Sequence, residues 1–272
     1  MKINATEAAF EGFRISRRRP GVIAAWGGVW LLGLIVMLLA ALPLVAPFME
    51  EFAAAGGDAA RLSADATAAL ERTSLLMIPI AVVMQAVLGA AVYRAVLTPE
   101  APRFAFLRLG RDEGRVLVAA LVLGCISVLF NFGGEALVTW ATAAGGMIAG
   151  AVVWLAVTGL MIWVSVRLCL AVPLTFVRER LAFAEAWKAA RPLFWPLLGL
   201  NIVVLALAAI VVLLLVLIGW PLSVAMASGG PGTPIAAVGA LLTLLLLPLG
   251  MAMVSTLLWA PFAVIARDLP KP

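Results

Sequence analysis

Histidine occurs nowhere in the 272 residues. That absence removes Ser-His-Asp and Cys-His catalysis, His-ligated haem and the usual histidine-containing zinc sites. Cysteine is nearly as scarce: Cys125 and Cys169 each lie inside an apolar run, where a thiol behaves as a small buried hydrophobe, and no disulfide between them is expected. Charge is scarce too, at 12% of residues against about 25% in a typical soluble domain. Paired acids inside the apolar runs are missing, so no acid/base couple for an intramembrane enzyme is in view. Asp58, Asp65 and Glu71 lack the spacing of a calcium loop. The sequence is expected to be non-enzymatic, with no metal site, cofactor or catalytic residue.

What fills the space is hydrocarbon. Hydrophobic residues make up 65% of the chain and the mean hydropathy is +1.15, more apolar surface than a water-soluble fold of this length could hide. A helical crossing needs about 20 mostly apolar residues, and runs of that length recur without the alternation of a membrane β-barrel. The expected fold is an all-α integral membrane protein, one polytopic domain over residues 1–272. Six spans are expected near 21–48, 74–97, 115–139, 147–176, 194–220 and 235–265. Asn131, Gly133, Gly134 and Glu135 interrupt the third, whose apolar part is read as stopping near Phe130. The run from Gly21 to Phe48 is much longer than the roughly 7–15 apolar residues of a signal peptide, and Ser16-Arg17-Arg18-Arg19-Pro20 reads as a topology anchor.

The charges that remain have an order. Of the 19 lysines and arginines, only Arg61 and Arg72 fall on one side of the expected spans. The rest cluster before the first span, between the second and third, between the fourth and fifth, and at the carboxy terminus. Basic loops stay in the cytoplasm, so both termini are expected there, in a bacterial inner membrane. The net charge of +5 sits in short loops between apolar runs, which points to anionic lipid headgroups rather than nucleic acid. Trp26, Trp187, Trp195 and Trp259 fall near the basic interface, Trp140 and Trp220 near the other. On the sparse side, residues 50–72 read as a small acidic, alanine-rich helix, and the uncharged stretch 222–234 as a flexible turn.

Three similar segments precede the odd-numbered spans: Phe10-Glu-Gly-Phe13-Arg14-Ile-Ser-Arg17, Phe104-Ala-Phe-Leu107-Arg108-Leu-Gly-Arg111, and Phe183-Ala-Glu-Ala186-Trp187-Lys188-Ala-Ala-Arg191. They fit three copies of one unit, a short amphipathic surface helix followed by a helical hairpin, with aromatics at the acyl boundary and cations reaching phosphates. They fit equally the habit of positive-inside proteins of placing aromatics and arginines ahead of a span. Tyr93-Arg94 with Pro99-Glu100, the Phe104–Gly110 stretch, and Arg167 through Pro173-Leu174-Thr175 to Trp187 resemble an uncharacterised group of bacterial membrane proteins. That group is similar to the membrane domain attached to some glycerophosphodiester phosphodiesterases. The resemblance implies the six-span architecture. No soluble phosphodiesterase domain accompanies it here, so that activity is not implied.

Candidate contact residues for lipid or a membrane-protein partner are Arg14, Arg17, Arg108, Arg111, Arg167, Trp187, Lys188 and Arg191. Arg167 lies inside the fourth expected span, where an arginine faces protein, water or a ligand; a headgroup contact and a structural arginine bonded to carbonyls both fit. Glu135 reads either as a relay group or as a solvated helix end. Gln85 and Asn201 suit hydrogen bonds between helices, as Gly145, Gly146 and Gly150 suit close packing. Pro79, Pro173, Pro248 and Pro261 are expected to kink spans. Two functions remain open: an accessory, scaffold or lipid-associated protein working through the basic rim, or a transporter or flippase for an anionic amphiphile. The second requires a cavity at mid-depth lined by Arg167, Gln85 or Asn201.

Overall fold

The computed structural model describes residues 5–56, 58–98, 103–108, 110–229 and 233–270. Lys2, Pro99, Glu100, Leu109, residues 230–232 and Lys271 lie outside these. Among the described residues the secondary structure is helical, without strands. Two short helices, α1 (Ala5–Ala9) and α2 (Glu11–Arg18), lead into α3 (Pro20–Val45). Pro20 is the first residue of α3, where its missing N–H costs nothing. Next come α4 (Met49–Ala55), α5 (Ala64–Leu97) and α6 (Arg111–Leu168). The order closes with α7 (Ala171–Arg178), α8 (Phe183–Ala189), α9 (Phe194–Gly229) and α10 (Pro234–Asp268).

Five helical stretches are long and apolar enough to cross a membrane. One is long enough for two crossings: α6 has 58 residues, about 87 Å if straight at 1.5 Å per residue. It is not straight. Gly146 adopts φ 74°, ψ −175°, a region essentially closed to residues with a Cβ, and there the chain reverses. Gly134 then faces Val157 and Gly150 faces Thr142, pairs nearly symmetric about Gly146. The two limbs, 111–145 and 147–168, form an antiparallel hairpin. Gly146 is therefore the turn of the hairpin, and Gly150 supplies the close packing expected of it.

Several boundaries differ from the sequence reading. The first limb of α6 runs through Asn131–Glu135 without interruption. Residues 50–72 split at Gly56 (φ 58°) into α4, a 3₁₀ turn and the start of α5, with Ser63 Oγ accepting from Ala66 N at 3.2 Å as the α5 cap. Residues 222–229 are helical rather than a flexible turn, so α9 passes Pro221 and continues to Gly229. Where water is scarce the backbone must satisfy its own hydrogen bonds, and helix is the way to do so. Pro173 does not kink a span. Its ring would collide with the carbonyl four residues back, that of Cys169, and the helix breaks there, leaving Pro173 in the first turn of α7.

Packing is concentrated at the end where the basic segments lie. α10 is the central element, touching α1, α2, α3, α5, α7 and α9. Its buried residues fall from Gly239 onward and are densest between Ala252 and Ala266. On α5 the largest block of buried residues runs from Ala86 to Val96, while Leu75 is 67% exposed. On α9, Leu197, Leu200 and Val204 are buried and Leu217 is 66% exposed. The most apolar windows of the five stretches are only 6–39% buried within the protein. Hydrocarbon outside the protein has to cover the remainder. At the packed end α2 lies directly on α10, because Gly12 brings the two backbones together: a Cβ there would stand 2.8 Å from Leu257 Cα.

Gly146→Ala is expected to destabilise the protein by about 1–3 kcal/mol, read as a lowered unfolding midpoint in detergent. Gly133→Ala, on the same helix where a Cβ meets nothing within 4 Å, should be neutral or stabilising.

Candidate lipid-contact rim at the charged end

The three segments read as repeats meet at this end, but not as three helices. The first is α2 and the third is α8. The second is a left-handed 3₁₀ turn, with φ of 50°, 54° and 64° at Phe104, Ala105 and Phe106. Neither Phe nor Ala favours that region, and such strain persists only where the surroundings over-determine it. Trp26 Nε1 donates to Ala105 O at 2.9 Å and Arg94 Nη1 donates to Phe106 O at 3.1 Å. The Arg19 guanidinium lies 5.3 Å from the centre of the buried Phe106 ring. The turn thus buries Phe106 and throws Phe104 outward, 85% exposed.

Beneath the turn lies an ion pair that the sequence reading did not single out. Arg94, in the last turn of α5, is 8% exposed and Glu113, in the first turn of α6, is 6% exposed. They form a salt bridge, with Asp112 at 3.6 Å from the same guanidinium. Phe176 of α7 covers it, ring centre 5.5 Å from Arg94 Cζ, and Glu113 also accepts from Gly110 N at 2.8 Å. The available signal is positional: an arginine just inside the end of one expected span and an acid just before the start of the next.

Arg167 is held as a structural arginine is held. It sits in the last turn of α6, its Nη1 donating to Trp187 O at 3.0 Å. Its guanidinium lies 5.3 Å from the Trp163 ring and 5.2 Å from that of Trp187. The two indoles meet edge to face at 5.1 Å. Arg167 and Trp187 therefore act together to pin α8 to α6. Neighbouring arginines work similarly. Arg178 bonds Glu185 and Pro270 O, both at 2.7 Å, and Arg115 joins Asp112 at 3.1 Å and Glu179 at 3.7 Å. Thr175 Oγ1 donates to Ala171 O and accepts from Ala182 N, fixing the passage from α7 to α8.

The remaining cations are left for the outside. Arg14 pairs with Glu11 at 2.8 Å. Arg17, Arg18, Arg108, Arg111, Lys188 and Arg191 are exposed and form no ion pair with any described residue. Phe10, Phe13, Arg14, Arg17 and Arg18 border a shallow surface depression along α2. Arg108 stands at the edge of a groove of about 750 Å³ between α3 and α5, otherwise apolar and walled by Ala25, Val29, Val87, Phe104 and Leu107. Glu135 is exposed at a small cavity between the two limbs of α6, with Asn131, Thr139 and Thr158. Asn201 donates to Leu197 O at 2.9 Å within its own helix. Gln85 lines a cavity that reaches Tyr93 and contains neither Arg167 nor Asn201. Among the described residues no group of three His, Cys, Asp or Glu is placed to hold a metal ion. Compared with protein-family models, with curated proteins and with solved structures, the chain finds no match in any of the three.

Arg167→Gln should lower the unfolding free energy by about 2–4 kcal/mol, through the lost charged hydrogen bond and both cation–π contacts. Denaturation in mixed micelles reads this. The phospholipid retained on purification should not change.

Proposed function

We propose that this is a non-enzymatic bacterial inner-membrane protein that gathers anionic lipid at its charged end. The observation that carries this reading is the set of six exposed cations without an ion-pair partner among the described residues, next to acids already committed elsewhere. Glu11, Asp112, Glu113 and Glu185 are engaged by Arg14, Arg115, Arg94 and Arg178, so these four acids are not free to neutralise the rim. The groove above Arg108 supports a specific pose, with an acyl chain against Val29 and Val87 and a phosphate on the guanidinium. On this reading the rim faces the cytoplasm with both chain termini, and the hairpin in α6 brings the crossings to six. An accessory role follows naturally, since a lipid-coated basic rim also presents a surface to a membrane-protein partner.

The competing reading, a transporter for an anionic amphiphile, draws support from the cavity at Gln85. It loses the residue that was to grip the headgroup, because Arg167 is enclosed by Trp163 and Trp187.

A cation near an anionic surface contributes about 1 kcal/mol. Replacing Arg108, Arg111, Lys188 and Arg191 together with glutamine should therefore cut the preference for phosphatidylglycerol over phosphatidylcholine more than tenfold. The ratio of lipids retained in native mass spectrometry measures it. An unchanged ratio would overturn the proposal.

A further inference from the structure

The rim leaves one constellation unused. Between α5, the first limb of α6, the break before α7 and α10 lies a cavity of about 400 Å³, within the size of a small-ligand site. Tyr93 of α5 and Val116 of α6, 4% and 2% exposed, lie at its closed end. Tyr93 is the only tyrosine in the sequence, and its ring is fixed against Phe176 at 5.8 Å. Gln85 and Ser127, both exposed, lie farther along the same two helices and form the mouth. Trp259 and Phe262 of α10 give the cavity an aromatic wall.

The chemistry of this lining is uniform in one respect: it holds hydrogen-bonding groups and no charged side chain. Neither Tyr93 nor Gln85 makes a side-chain hydrogen bond with any described residue. An unpartnered phenol or amide in apolar surroundings costs a few kcal/mol, which a ligand carrying oxygen acceptors would recover. An anionic head would find no countercharge. The nearest cation along the chain, Arg94, is already neutralised by Glu113. Beyond the mouth the helices carry exposed apolar residues, Val83 on α5 and Val128 and Leu129 on α6, where an apolar tail can lie.

We infer that this cavity binds the head of an uncharged lipid bearing hydroxyl or carbonyl oxygens, received by Tyr93 and Gln85, with its tail leaving between α5 and α6. The site is separate from the rim in residues and in the charge it selects. Gly124 provides the test. It lines the cavity, and a Cβ built on it meets nothing within 4 Å, so Gly124→Leu fills space without straining the helix.

Native mass spectrometry of the full chain in micelles, titrated with dioctanoylglycerol, should show one saturable adduct. Gly124→Leu should weaken it at least tenfold with the unfolding midpoint unchanged or raised. Tyr93→Phe and Gln85→Leu should each weaken it about three- to tenfold, the loss expected for one neutral hydrogen bond. Decylubiquinone in place of the glyceride separates hydroxyl-bearing from carbonyl-only heads, and saturable binding of either supports the inference. Dioctanoylphosphatidic acid should bind independently of Gly124→Leu and respond instead to the glutamine substitutions on the rim. Failure of that last response counts against the rim alone. Absence of a saturable adduct with both neutral probes, or an adduct indifferent to Gly124→Leu, overturns the cavity assignment.

Discussion

An arginine that is 8% exposed inside an apolar bundle has to be neutralised where it stands, and Glu113, itself 6% exposed, does so. The pair ties the end of α5 to the start of α6. Through the bond from Arg94 to Phe106 O it also holds the left-handed turn between them, and through Phe176 it reaches α7. Breaking a buried ion pair on one side strands the other charge, at about 3–5 kcal/mol. In a protein whose apolar stretches bury so little against each other, such fixed points at one end carry much of the definition of the fold. Arg167 between its tryptophans and Arg178 on Glu185 repeat the device on α8.

Function follows from how those arginines are allotted. Arg94, Arg115, Arg167 and Arg178, which reach an acid, a carbonyl or an indole across elements, hold the charged end together. Among those left over, Arg17 and Arg18 lie beside Phe10 and Phe13, and Arg108 beside Phe104, rings suited to the acyl boundary. The cavity between α5, α6 and α10 obeys the opposite rule, with polar groups but no charged side chain. On the proposed reading, one chain offers lipid two chemically distinct environments, an anion-seeking rim and a neutral pocket.

Much of the architecture was legible in the sequence because hydropathy and the bias of arginine between the two sides are read directly from composition along the chain. The amphipathic pattern is clean at 183–191, while at 10–17 basic and apolar positions overlap on the helical wheel; both segments are helical for most of their length. The turn at 104–106 was not. Phe-Ala-Phe has no local preference for positive φ, and only Trp26 and Arg94, distant in sequence, impose it. Arg167 stands out in the sequence as an arginine inside a span, but its contacts in the structure, Trp187 O and the faces of Trp163 and Trp187, carry no charge pattern to read. The pairing of Arg94 with Glu113 is hard to read because Glu113 looks like a loop charge and Arg94 like the first of the basic residues that follow α5, until the helices converge. The helical continuation of α9 past Pro221 was hidden by a run of turn-forming residues just beyond it.

The central claim is that the Arg94–Glu113 pair organises the charged end. A double-mutant cycle with Arg94→Leu and Glu113→Leu, followed by equilibrium unfolding in mixed micelles, tests it most directly. The account predicts that each single replacement loses about 3–5 kcal/mol, while the double replacement loses much less than their sum because no charge is left stranded. Strictly additive losses, or single replacements without effect, would contradict it.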